Sequence, residues 1–301
     1  MKQTEKANVE YFMELLAKFI ALLVIRLPDD VVTKLTELSR RETSPLGQVL
    51  YEAIKDDLSL ATRLKRPLCQ DTGILQFTVR VGSNFPWMNK VSEVLRQAVL
   101  RATREVPLRP NAVEIFTHVN SGNNTGTRIP WIDWEVIPDR DDIYIYGYVA
   151  GGGCSLPGTA KVFMPLEGLE GVVRYIFDQI TSYGINACPP LLVGVGLAGS
   201  MDVAAKLSKT ALLRPIGASN PDAAAADLEQ RLTDGLNALG IGPGGLGGEA
   251  SVLGVHVEQA ARHPATLAAA ISTGCWALRR ALIRLDADLN YEVLSHKGAV
   301  L

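Results

Sequence analysis

The spacing of apolar side chains divides the chain into helical and extended stretches. Val9, Phe12, Met13, Leu16, Phe19, Ile20 and Leu23 recur every three or four residues, the period of an amphipathic helix. Val31, Val32, Leu35 and Leu38 repeat that spacing behind Asp29 and Asp30, which suit a helix start, and a third helix is expected over 47–64. The chain thus opens with a helical segment over 1–66. From Ile74 to Val81 the composition turns β-branched and apolar, the mark of a strand leaving the loop 65–73. A helix is expected over 91–106, where Pro107 and Pro110 stop it. Between Trp131 and Val149 two apolar, aromatic runs flank Pro138-Asp139-Arg140-Asp141-Asp142, the composition of a hairpin turn. Farther on, helices over 169–183, 202–213 and 223–239 alternate with strand-like runs at 191–195, 252–257 and 267–271. This alternation, with no internal repeat and no low-complexity linker, predicts the α/β class. The expected architecture is a single large mixed α/β domain over 1–301 with the N-terminal helices packed on it.

A chain of 301 residues is long enough to bury a substantial core, and 47% hydrophobic with 21% charged residues is the balance of an ordinary soluble domain. The net charge of −2 supplies no basic footprint, so neither nucleic acid nor an anionic membrane is an expected partner. The most apolar stretch, 9–27, carries Glu10, Glu14, Lys18 and Arg26, which are expensive inside a bilayer. The segment from Met1 to Lys6 has no apolar signal core, and a cytoplasmic protein is expected. In that reducing setting Cys69, Cys154, Cys188 and Cys275 would persist as thiols.

Cys154, Cys188 and Cys275 each adjoin Gly or Pro at a junction between loop and regular structure. That placement suits metal ligation, and equally suits small side chains filling core space. No CxxC pair exists, so neither a zinc finger nor a thioredoxin motif is indicated. Gly194-Val195-Gly196-Leu197-Ala198-Gly199 spells the dinucleotide fingerprint between a strand and a helix. That helix runs into Leu212-Leu213-Arg214-Pro215-Ile216-Gly217, with no strand ending in an acid for a ribose, so dinucleotide binding is not expected, and the glycines would equally permit close backbone approach to a metal or a carboxylate substrate. Asp71 stands two residues after Cys69 with Gln70 between them, yet it also precedes Thr72-Gly73 as a turn residue would. Arg109, flanked by Pro107 and Pro110, is a carboxylate clamp or one half of a surface pair. His263 is one of four histidines and is read as a proton-transfer group or a hydrogen-bonded structural residue, whereas His118 and His256 read as structural.

The ordered set Cys69-Gln70-Asp71-Thr72-Gly73, Leu108-Arg109-Pro110-Asn111-Ala112-Val113, Gly151-Gly152-Gly153-Cys154, Asn186-Ala187-Cys188-Pro189-Pro190 and Gly274-Cys275-Trp276 resembles the iron–sulfur hydro-lyases of the class I fumarase and tartrate dehydratase family. The similarity spans nearly the whole chain and implies the fold of the N-terminal domain of class I fumarases. It implies a 4Fe-4S cluster held by Cys69, Cys188 and Cys275, with one iron open to substrate. It places Gln70, Arg109 and Gly152 on the substrate and gives proton transfer to Asp71 and His263, with the acid and base roles interchangeable. Cys154 is not carried over as a ligand and is expected near the pocket. Single-chain members continue into a smaller C-terminal domain that this sequence lacks, which implies a separate β subunit and an α2β2 assembly acting on a hydroxy-dicarboxylate. Dehydration of tartrate would give oxaloacetate and water; a two-component fumarate hydratase is the alternative. A non-catalytic scaffold with core cysteines is the alternative of another class.

Overall fold

The computed structural model describes the backbone of residues 2–301 and the side chains of residues 5–301. In chain order the elements are α1 (Lys2–Ile25), α2 (Asp29–Arg41), α3 (Pro45–Leu64), β1 (Ile74–Gly82), α4 (Val91–Glu105), β2 (Trp131–Ile137), β3 (Ile143–Ala150) and the single turn α5 (Gly152–Ser155). They continue as β4 (Thr159–Phe163), α6 (Gly168–Tyr183), β5 (Leu191–Ala198), α7 (Met201–Leu213), α8 (Ala223–Asn237), β6 (Val252–Gln259), β7 (Leu267–Gly274), β8 (Arg280–Leu285) and β9 (Tyr291–Val293). The class is mixed α/β, as the periodicities predict. The residues gather into two compact units, one comprising Met1–Asp29, Asp56–Gly151 and Arg279–Leu301, the other Asp30–Lys55 and Gly152–Leu278.

The first unit is built on a five-stranded sheet of order β2-β1-β3-β8-β9. Along β1, Leu75, Phe77, Val79 and Val81 are buried while Gln76, Thr78 and Arg80 take the opposite face, because successive side chains of a strand alternate. The buried row joins Ile143, Ile145 and Ile283 beneath the apolar stripes of α1 (Phe12, Leu16, Phe19, Leu23) and α4 (Val91, Leu95, Val99). The hairpin expected at 138–142 is not formed. β2 pairs parallel with β1, and β1 pairs antiparallel with β3, so β1 separates the two runs that the turn composition suggested were neighbours. Asp142 instead receives the guanidinium groups of Arg140 (2.6 Å) and Arg284 (2.9 Å).

The second unit carries a four-stranded sheet of order β4-β7-β5-β6, with β5 and β6 parallel and the other pairs antiparallel. Val193, Val195, Val255, Val257 and Ile271 join Val172, Ile176 and Ile180 of α6 and Leu232 and Leu236 of α8 in one core. α7 covers the small-residue side, where Ala204 meets Ala198, Ala268 and Ala270. A Cβ on Gly196 would stand 1.9 Å from the Ala204 carbonyl oxygen, and one on Gly194 2.2 Å from that of Ser208. The GxGxxG run is therefore the seat of a helix packed against strand backbone, where the sequence alone suggests room for a metal or a carboxylate substrate. No helix among the described residues is long and apolar enough to cross a membrane.

Candidate active site

In the first unit the motif residues Cys69, Gln70, Asp71 and Arg109 lie on two loops stitched together by side chains. Asp71 closes its own turn: its Oδ1 accepts from Gly73 N–H (2.9 Å) and from the Asn111 amide (3.3 Å). Thr72 Oγ1 accepts from Arg109 N–H (2.9 Å) and donates to the Arg109 carbonyl (3.3 Å), which fixes the arginine's backbone. The Asn124 amide donates to the same carbonyl (3.0 Å), and its Oδ1 accepts from Asn111 N–H (2.8 Å). Gly73 sits at φ +65°, and a Cβ there would meet Val149 Cγ1 at 2.5 Å, so the turn can only be glycine. The Arg279 guanidinium donates to the Asp71 carbonyl at 2.9 Å.

In the second unit the antiparallel pairing of β5 with β7 does the assembling. Cys188 precedes β5, Cys275 follows β7, and Leu192 faces Gly274, so the two cysteines emerge at the same end of the sheet. Trp276 N–H donates to the Cys188 carbonyl (3.2 Å). Cys188 itself holds φ +57°, a left-handed conformation that costs a side-chain-bearing residue about 1 kcal/mol and is concentrated at functional sites. Gly152 and Cys154 join this end: Thr273 Oγ1 donates to the Cys154 carbonyl (2.5 Å), and a Cβ on Gly153 would lie 3.2 Å from the Asn186 carbonyl. Behind Cys188, Gly244 N–H donates to the Pro189 carbonyl (2.8 Å). The buried carboxylate of Glu42 anchors the far end of that glycine-rich loop through Glu249 N–H (3.1 Å). Burial pushes the Lys209 ammonium below its usual range, and the neighbouring Cys154 sulfur pulls it back up.

His263 lies elsewhere. It is exposed on the β6–β7 connection, beside Gly199 at the opposite end of the four-stranded sheet. The length of β7 alone, at ~3.3 Å per residue, sets it roughly 23 Å from the Cys275 turn. His256 is buried with Nδ1 3.0 Å from the Ala211 carbonyl, the structural role expected of it. Glu42, Lys209 and Arg279 were not singled out by the sequence, and Asn111 entered it only as a member of the Leu108–Val113 motif, without a role. Arg279 stands close to the Cys275 motif, but Glu42 and Lys209 carry no local signal.

None of the four cysteines is in a disulfide; Cys188 is exposed, Cys69 and Cys275 are half-buried and Cys154 is buried. Among the described residues no three His, Cys, Asp or Glu side chains converge on a single-ion site. A cluster asks for a wider spacing, since each thiolate binds a different iron, and soft sulfur donors free of disulfides fit such a group. An open cavity of about 550 Å³ in the second unit is lined by both polar residues (Asp30, Lys34, His256) and apolar ones (Ile216, Leu253, Val255), and contains none of the motif residues.

Each unit thus carries part of the motif set: in the first, two loops fix an acid and an arginine, and in the second, one sheet end gathers two cysteines with a glycine turn. The fumarate hydratase (Fumerase) family matches residues 13–284, and the chain belongs to that family, whose enzymes are hydro-lyases. Hydro-lyase is accordingly its class of activity. Among its relatives, the L(+)-tartrate dehydratase subunit alpha of Escherichia coli (strain K12) is 53% identical over 302 residues, covering 100% of both chains. The protein of the same name from Shigella sonnei has the same identity and coverage. A Methanocaldococcus jannaschii protein provisionally given that name is 39% identical over 270 residues, 88% of this chain and 95% of its own.

Proposed function

We propose that this chain is the cluster-bearing α subunit of a cytoplasmic hydro-lyase that dehydrates L(+)-tartrate to oxaloacetate and water. The observation that carries the substrate is the full-length 53% identity to chains named for that activity. Cys69, Cys188 and Cys275 would hold a 4Fe-4S cluster, which supplies a Lewis-acidic iron that makes hydroxide a better leaving group. Arg109 grips a substrate carboxylate through a guanidinium whose backbone Thr72 and Asn124 already hold. Gln70 and the Gly152 backbone hydrogen-bond substrate oxygens. Asp71 takes part in moving the proton from the carbon next to the departing hydroxyl. Its Oδ1 is anchored by two N–H donors, so the carboxyl enters the reaction already oriented.

His263 is the second proton-transfer group, matched by motif. Because it leaves the sheet at the end opposite Cys188 and Cys275, its part in the reaction calls for a second copy of the chain to deliver it. An α2β2 assembly contains that copy, and the β subunit completes the substrate pocket. The family description favours a second reading, the α subunit of a two-component fumarate hydratase.

Anaerobic reconstitution with iron, sulfide and the β partner tests both. L-tartrate consumption well above D-tartrate and malate supports the first reading. Malate or fumarate turnover without tartrate turnover replaces it with the second, and a chain that takes up no iron and sulfide ends both.

A further inference from the structure

Arg279 is among the largest fully buried side chains of the described residues, with 2% of its surface exposed. A guanidinium is charged at any pH at which the protein folds and carries five N–H donors. Here Nη2 donates to the Asp71 carbonyl (2.9 Å), while Nε and Nη1 find no acceptor among the described residues. The residue is held in place from its own backbone, since Val149 N–H donates to the Arg279 carbonyl (3.0 Å). A buried cation with three unmet N–H bonds is costly, and such a group points to a charge that the chain itself does not supply. Its single bond goes to the loop of Cys69, Gln70 and Asp71, and in sequence it stands four residues after Cys275.

We propose that Arg279 is the charge-balancing and positioning residue of the Cys69 loop: its Nη2 bond to the Asp71 carbonyl holds the loop, and its buried positive charge favours the thiolate that this loop carries when Cys69 is a cluster ligand. The inference rests on the cluster reading above and adds to it the residue that makes the loop accept negative charge. It acts through the loop and not on the substrate, so its removal should move cluster retention first. Without the cluster, the same guanidinium is an uncompensated buried charge, and replacing it with an apolar side chain of similar length should leave the protein as stable or more so.

The test uses the full chain as wild type, Arg279→Met and Arg279→Lys, each reconstituted anaerobically with ferrous iron and sulfide. Iron loss to a chelator is followed, and the thermal midpoint is measured on the cluster-free forms. Arg279→Met is expected to lose iron about 10- to 100-fold faster than wild type, the usual cost of removing a group that supports a metal ligand. Arg279→Lys keeps the charge and should hold iron nearly as long as wild type. The cluster-free Arg279→Met midpoint should equal or exceed the wild-type value. A lowered midpoint would make Arg279 a purely structural residue and overturn the proposal. Unchanged iron loss in Arg279→Met overturns it as well, including the case in which KM alone rises and the arginine serves a substrate carboxylate. If wild type takes up no cluster, the reading of the cysteines as ligands fails, and this proposal falls with it for that distinguishable reason.

Discussion

The two units solve the same problem, fixing a cysteine-bearing turn, by different means. In the first, the Cys69 loop is tied by polar side chains: Asp71, Thr72, Asn111, Asn124 and Arg279 form a web with almost no strand ladder in it. In the second, Cys188 and Cys275 are set by main-chain geometry: the β5–β7 ladder, the Trp276 N–H bond to Cys188, and the glycines that let α7 lie on the strand backbone. A web of side chains gives individual atoms fixed directions, which would suit the proton-transfer role proposed for Asp71. Backbone geometry fixes positions, which would suit the ligand role proposed for Cys188 and Cys275. Side chains also contribute in the second unit: Glu42 holds the glycine-rich loop behind Cys188, and Thr273 holds the Cys154 carbonyl.

This contrast can be broken by substitution. The largest effect is expected from Asp71→Asn, which should keep the iron and sulfide content of the reconstituted protein while lowering kcat by about 10²- to 10⁴-fold, the range of general acid–base catalysis. Near-normal turnover would remove Asp71 from the chemistry and leave it a turn residue. Next, Gly196→Ala should destabilise the protein by about 1–3 kcal/mol or more in urea unfolding, because its new methyl group meets helix backbone that has no flexible end to move. Asn111→Ala should cost about 1 kcal/mol and speed proteolysis within 65–73, since it strips the Asp71 turn of a half-buried donor. Equal sensitivity of that loop to Gly196→Ala would erase the distinction between the units.

The smallest effect concerns acid. Asp142, hydrogen-bonded by Arg140 and Arg284, has its carboxyl lowered to a pKa of about 2. Its contribution is complete above the unfolded aspartate value near 4 and is lost as the pH falls through about 2. With both arginines partly in water, about 1 kcal/mol is expected. Acid titrations of wild type and Asp142→Asn should therefore converge near pH 2 and separate above pH 4.

Much of this is legible in the sequence, and the parts that are not share a cause. Periodicity locates α1, α4, α6 and α7 because each stripe needs only its own neighbours, and the cysteines announce themselves beside Gly and Pro at element ends. The expected hairpin fails because turn composition says that a chain bends, not which strand it meets; β1 takes the place between β2 and β3. The strand over 280–285 is not among the expected ones, although the buried Ala281, Ile283 and Leu285 alternate there with the half-buried Leu282 and Arg284. The partnership of Cys188 with Cys275, and the removal of His263 to the far end of the sheet, come from the antiparallel pairing of β5 and β7. Nothing local to any of those residues encodes that pairing.

The same ladder works as a ruler. Since the turns bearing Cys188 and Cys275 are set by which residue of β5 lies opposite which residue of β7, the exposed turns between those strands can lengthen without resetting them, whereas α7 and β6, which pack on and pair with β5, cannot. A slip of one rung would turn every side chain of β7 to the wrong face and carry one sulfur away from the other. Insertions in the largely exposed turn 217–221 should therefore be tolerated, whereas a single deletion inside either strand should not.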